Sequence, residues 1–202
     1  MAKLTVVYYS SYGHTYTMAQ EIAKGAEAEG AEVRIRRVPE LVPPEVIQGN
    51  EGLKAGAELQ SDVPEASNED LLWADAIAFG SPTRFGNMTA QMKNFLDQTG
   101  ALWAEGTLSG KLAGFFTGSN TMHGGQETTI LTMSTYAYHM GMLIVPVGYD
   151  ISEVATTSGG GSPYGASHVA GPDGSKQPSS EALAIASYLG SRLATFAAKL
   201  SS

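Results

Sequence analysis

The chain contains no cysteine. Disulfides, thiolate-ligated zinc, iron–sulfur clusters and thiol nucleophiles are excluded together. Basic residues are scarce: 12 Lys and Arg stand against 20 Asp and Glu, for a net charge of −8. Nucleic acid and anionic membrane surfaces both call for clustered Lys and Arg, so neither is an expected partner. No apolar run approaches spanning length, and Met1-Ala2-Lys3 leads into a strand-like segment without the layout of a secretory signal. The expectation is a cytoplasmic protein with no membrane insertion. The 4 histidines (His14, His123, His139 and His168) form no metal-binding spacing, so no metal is expected. A GxSxG nucleophile elbow and a GxGxxG dinucleotide fingerprint after the first strand are also missing.

What is present is an alternation of short apolar runs and helical periodicity, in 202 residues of which 43% are hydrophobic. That length suits one domain over residues 1–202 with a sizeable core. Leu4–Tyr9 is nearly continuous in apolar residues, as in a strand buried on both faces of a parallel sheet. Ala19, Ile22, Ala23 and Ala26 recur at helical spacing, with Gly30 as a stop. Val33, Ile35 and Val38 alternate with charged residues, which reads as a strand near an edge. Further strands are expected at Ala76–Gly80, Leu112–Thr117 and Leu143–Val147. Helices are expected from Ser67 to Ala74, at Thr89–Thr99, Glu127–Met140 and Ser180–Leu200. Two stretches, Pro39–Ser67 and Gly148–Pro178, read as irregular excursions, because prolines interrupt the first and glycines the second. Five strands alternating with helices imply an open parallel α/β sheet covered on both faces.

Three loops rich in glycine and hydroxyls each follow a strand: Ser10–Thr17, Ser81–Asn87 and Gly118–Gly125. In such sheets the carboxyl ends of the strands form the ligand edge, so the three loops are expected to converge. The first opens a helix, whose free N–H groups suit a phosphate. It holds no lysine and is no GxxxxGK[ST] loop, so a single terminal phosphate, as on a mononucleotide, fits best. In the second, Gly86 allows close backbone approach, Arg84 is either a partner for a negative ring edge or a plain surface charge, and Phe85 is either a ring wall or a core anchor. Trp103 and Tyr149 are candidates for a further wall and equally for core. His139 suits a ligand or the negative end of its helix.

The segments Tyr8–Thr15, Gly80-Ser81-Pro82-Thr83-Arg84-Phe85-Gly86-Asn87-Met88, Phe95–Gly100, Gly124–Thr129 and Gly160-Gly161-Ser162-Pro163-Tyr164-Gly165-Ala166 resemble those of WrbA-type NAD(P)H:quinone oxidoreductases, flavodoxin-like FMN proteins. The resemblance runs nearly end to end. It implies a flavodoxin-like three-layer sandwich with a five-stranded parallel sheet in the order 2-1-3-4-5. It also implies FMN bound without a covalent link, NADH or NADPH as electron donor, and a quinone as acceptor. In this resemblance Ser10, Ser11, Tyr12, Gly13, His14 and Thr15 line the phosphate. Thr83, Arg84 and Phe85 contact the flavin ring, and Gly118, Ser119, Asn120, Thr121 and Gly124 wrap its other edge. His139 matches a flavin-site histidine and is a candidate catalytic proton donor. Tyr12, Trp103 and Tyr149 are the substrate-side aromatics. The family is tetrameric, which implies a homotetramer. The Thr117–His123 loop departs from the family's more glycine- and serine-rich pattern. The implied reaction is two-electron reduction of quinones by ping-pong hydride transfer. The alternative is an electron-shuttle flavodoxin without quinone reductase activity, which the acidic charge would steer to basic partners.

Overall fold

The computed structural model describes residues 1–200. In chain order it forms β1 (Lys3–Tyr8), α1 (His14–Ala28), β2 (Glu32–Arg37), α2 (Pro44–Gln48), α3 (Glu51–Leu59), α4 (Asn68–Trp73) and β3 (Ala76–Pro82). Then follow α5 (Ala90–Asp97), α6 (Gly100–Glu105), β4 (Leu112–Ser119), α7 (Gln126–His139), β5 (Leu143–Ile144), α8 (Ser152–Thr156), β6 (Ala166–Val169) and α9 (Ser180–Leu200). The sheet order is β2-β1-β3-β4-β5, all neighbours parallel, with β6 also parallel to β4. This is the flavodoxin-like α/β architecture, and β2 lies at the edge where its charged alternation put it.

Strand alternation sorts the core into two layers. Leu4, Val6, Tyr8, Ala78, Leu112 and Phe116 pack on one side with Ile22 of α1 and Leu189 and Leu193 of α9. Val7, Ile77, Phe79, Ala113 and Phe115 pack on the other with Leu71 of α4, Phe95 of α5 and Ile130 and Met133 of α7. The helices α1 and α9 touch backbone to backbone. A Cβ on Gly25 would lie 1.9 Å from Ser187 O, and one on Gly190 would lie 1.9 Å from Ile22 O. That close approach holds the first helix, and with it the first loop, against the long closing helix. Among the described residues no helix is long and apolar enough to cross a membrane.

Two local expectations need correction. The fifth sheet position is not one strand over Leu143–Val147. β5 pairs only with Leu112 and Ala113, and after an excursion β6 takes up the same side of β4 at Phe116–Ser119. The chain leaves the ladder beyond Val145, whose N–H still reaches Ala113 O, and returns through Gly160, Gly161 and Gly165. The stretch Pro39–Ser67 is likewise not devoid of regular elements. Pro43 and Pro44 sit at the start of α2, where a missing N–H costs nothing, and Asn50 caps α3 by accepting from Leu53 N–H at 3.0 Å.

Candidate functional site

The loops after β1, β3, β4 and β6 meet at the carboxyl edge of the sheet around a cavity of about 430 Å³. Its walls are Ser10, Ser11, Tyr12, His14 and Thr15, then Pro82, Thr83 and Arg84, then Gly118, Ser119, Asn120, Thr121 and Gly124, with His168 and Ala170 from β6 and just beyond it. Most of the residues expected to hold the cofactor are thus brought together. No carboxylate stands among these walls.

The first loop ends in Gly13, the N-cap of α1, at φ 92°. No side chain caps this helix and its first turn holds no acidic residue, so its free N–H groups and partial positive charge are left for a ligand. Ser10 Oγ accepts from Gly13 N–H at 3.1 Å, and Arg84 Nη2 donates to Ser11 Oγ at 3.1 Å. Arg84 makes no ion pair among the described residues. It leans across the cavity mouth with its charge unneutralised.

Thr83 ties the second loop to the third. Its Oγ1 accepts from Gly86 N–H at 3.1 Å, donates to Gly124 O at 3.2 Å and lies 2.9 Å from Thr129 Oγ1. Gly125, the N-cap of α7 at φ 86°, sits so close that a Cβ there would come within 2.8 Å of Gly86 Cα. Between these ties stands Phe85, which is no core anchor. It is fully exposed (107%) and is the one non-glycine residue with positive φ among those described, at 54°. A bare aromatic ring held in the left-handed region is the kind of local strain that persists at binding sites.

The excursion between β2 and α4 braces the first loop, which the sequence did not disclose. Gly52, Gly56 and Leu59 of α3 share one face, and a Cβ on Gly56 would lie 2.4 Å from Ser11 O. A Cβ on Gly52 would meet the Tyr12 ring at 3.0 Å. Buried Gln60 donates from Nε2 to Ser10 O at 2.8 Å and to Gly56 O at 2.9 Å. Beneath the loop, Gln91 donates to Glu40 at 2.8 Å and to the Tyr9 hydroxyl at 3.0 Å, and that hydroxyl donates to Glu40 at 2.9 Å. Burial, reinforced by the Glu40 carboxylate, pushes the Tyr9 phenol up to about 12. Burial also works to raise the Glu40 carboxyl, but donors from Val42, Gln91, Tyr9 and Leu41 outweigh it and hold it below the usual range.

Three expected site residues stand elsewhere in the chain. His139 is the last residue of α7, about 20 Å of helix from the loop that opens it. Trp103 lies on α6 near the same end, where Thr99 Oγ1 and Tyr136 Oη are 2.9 Å apart. Both are exposed, as is Tyr149, and none lines the cavity. Trp103 and Tyr149 are therefore not core aromatics. His168 and Ala170 were missed as wall residues. Ala166-Ser167-His168-Val169 is too short for a periodic signal, and only its pairing with β4 shows that it ends at the same edge.

Residues 3–156 match the model of the NADPH-dependent FMN reductase family. The chain belongs to that family. Among solved structures, this reductase-family chain is similar to a flavodoxin, WrbA-like protein from Agrobacterium tumefaciens, with 26% identity over 98% of this chain and 99% of the other at a TM-score of 0.69. It also resembles in fold a flavodoxin from the domain Archaea, with 21% identity over 97% and 99% of the two chains and a TM-score of 0.63. Flavodoxin 2 from Bacillus cereus shares the fold at 16% identity over 96% and 99%, with a TM-score of 0.62. Family membership and fold together place the protein among flavodoxin-like FMN proteins with FMN-dependent redox activity.

Proposed function

We propose that the protein passes two electrons from NADH or NADPH to a quinone through non-covalently bound FMN. The observation that carries this reading is the cavity itself: an uncapped helix N-terminus at one side, and at the other Thr83 and Arg84 of a loop tied to its neighbour by hydrogen bonds, with the exposed ring of Phe85 next to them in the chain but not lining the cavity. That layout fits a phosphate monoester joined to a flat ring, and the lone cation Arg84 among neutral donors suits the modest charge of such a ligand. FMN, when bound, would supply the two-electron hydride chemistry between nicotinamide and quinone. The chain's own residues bind and orient. The first loop and the α1 N–H groups take the phosphate, and the partly buried Thr83–Gly124–Thr129 network keeps the ring-facing backbone rigid.

Tyr12 is half-exposed at the rim, where it forms one side of the slot above the ring. The other side comes from neighbouring copies in a homotetramer. Trp103 on α6 and His139 at the end of α7 are exposed away from the cavity, and with Tyr138 and Leu143 they leave side chains uncovered there. Tyr149 contributes from the surface beside α9, where Asp150 accepts from Tyr188 and Arg192.

The direct test is the visible spectrum of the FMN-loaded protein. Bleaching by NADPH followed by recovery on addition of benzoquinone supports the reading, and so do parallel double-reciprocal plots, because both substrates then share one slot in turn. Intersecting plots refute the shared slot. Bleaching that benzoquinone does not reverse, with a stable one-electron-reduced flavin on stepwise titration, favours a flavodoxin-type electron carrier instead. Trp103→Ala and His139→Ala are expected to lower quinone turnover while leaving FMN binding by the isolated chain unchanged. Light scattering that reports a single chain in solution refutes the assembly.

A further inference from the structure

His168 has no part in the reading so far. It lies on β6, 2% exposed, and neither Nδ1 nor Nε2 makes a well-formed hydrogen bond among the described residues, although the Lys176 backbone is near enough to act weakly on the ring. Buried polar atoms are nearly always satisfied, so a ring with both nitrogens unsatisfied calls for an explanation. The ring lines the main cavity beside Thr15 and Ser10, and also a second cavity of about 420 Å³ that adjoins it past Asn120, Thr121 and Lys176. Its centroid is 5.1 Å from that of His14, with the planes tilted by 53°. His14 is the first residue of α1, at the uncapped N-terminus that faces the cavity. Gln177 reaches its Nε2 at 3.5 Å.

No carboxylate lines either cavity. Around the pair stand Tyr12 from the first loop, Arg84 from the second, and Lys176 with Asp173 from the segment after β6. β4 offers no titratable group, and α9 contributes none to the walls of either cavity. Asp173 is taken up by Ser175, whose N–H and hydroxyl donate to it at 3.1 and 2.9 Å. Two neutral imidazoles, one helix N-terminus and no anion make a site that lacks one component, a dianion with acceptor oxygens.

We propose that His14 and His168 form a proton-accepting pair for the phosphomonoester of the bound mononucleotide: entry of the phosphate draws one proton from solvent onto the pair, and the protonated pair then donates to the phosphate oxygens. The proposal rests on FMN being the ligand of this cavity. It is consistent with the state of the unliganded pair. Burial, then the neighbouring His14, pushes His168 down to about 4, and burial lowers His14 as well, so both are neutral at neutral pH. A bound dianion acts in the opposite direction and raises them. Between the low free value and the raised bound value up to one proton accompanies each ligand, so affinity rises as pH falls and levels off above the bound value.

The test is calorimetry of FMN binding in two buffers of different ionisation enthalpy, at about pH 7.5, where the FMN phosphate is a dianion because its second pKa is about 6. The native protein is expected to take up a measurable fraction of a proton, at most one, per FMN, and its FMN affinity to fall by at most about tenfold per pH unit across the neutral range. Riboflavin, which has the ring without the phosphate, is expected to bind with no proton uptake. His168→Thr, with folding checked by circular dichroism, is expected to lose most of the uptake and flatten the pH dependence of FMN affinity. Zero uptake by the native protein, or equal uptake with FMN and riboflavin, overturns the proposal without need of any variant. Unchanged uptake in a folded His168→Thr protein overturns the role of His168. Failure of both flavins to bind at any pH overturns the FMN reading itself and the proposal with it.

Discussion

Phe85 is held at φ 54° with its ring wholly in solvent, so its conformation and its contacts can be perturbed separately. The left-handed region costs an L-residue with a Cβ about 1–2 kcal/mol. Replacing Phe85 by Gly removes that strain but frees the unfolded chain, at a cost of about 0.5–1 kcal/mol. No core packing is lost, because the ring packs on nothing. The net expectation is a cofactor-free protein more stable by about 0.5–1 kcal/mol, which for a chain of this size raises Tm by about 1–4 °C. Phe85→Ala keeps the Cβ and with it the strain, so it is expected to melt with the native protein. The gap between the two variants therefore isolates the backbone term. Binding moves the other way. Loss of an aromatic wall worth about 1 kcal/mol weakens FMN about fivefold in both variants. The assays are thermal melts of the cofactor-free proteins and flavin fluorescence titrations. If the Gly variant is no more stable than the Ala variant, the strain is not stored at this residue. If FMN binds both variants as tightly as the native chain, the ring is not a wall of the site.

Two further outcomes follow from the bracing of the site and of the sheet edge. Gln60→Leu leaves Ser10 O and Gly56 O without their donor at a cost of about 1–3 kcal/mol, read by urea denaturation. It is expected to weaken FMN more than riboflavin, and an equal loss for both would show that α3 does not act through the phosphate loop. Asp70 is buried, accepts from Arg36 at 2.9 Å and Arg34 at 3.3 Å, and closes a capping box with Ser67. Burial works to raise its carboxyl, but Ser67 and Arg36 outweigh burial and hold it below the usual range. Its stabilisation is therefore complete above the unfolded value of about 3.9 and is lost as pH falls through the lower folded value. Asp70→Asn is expected to lower stability near neutral pH by about 1–3 kcal/mol and to make the acid limb of the stability profile shallower. An unchanged acid limb would refute this assignment.

The buried strands were legible because each is a nearly unbroken apolar run between turn signals. Val6, Ile77 and Phe115 could be read as core from such runs alone, and their pairing in one parallel sheet agrees. The three loops that meet at the cavity were legible because each directly follows such a run. Short elements were not. Ala166–Val169 has four residues, too few for any period, and becomes a strand only through its ladder with Phe116–Ser119. Prolines in the Pro39–Ser67 stretch looked like breakers, yet Pro44 opens α2, where a missing N–H is harmless.

By itself the chain determined the chemistry on offer. With no cysteine, a net negative charge and three hydroxyl- and glycine-rich loops, it pointed to an uncharged cradle for one phosphate and a flat ring. Those properties are local, written in the residue types and in the order of strand, loop and helix. The tertiary structure alone decided which residues share the cavity. It set His168 against His14 across a separation of more than 150 positions, put Gln60 under Ser10, and kept Trp103 and His139 out of the cavity. Such neighbours arise from crossover connections and helix packing, which bring distant segments to one sheet edge and leave no trace in local periodicity.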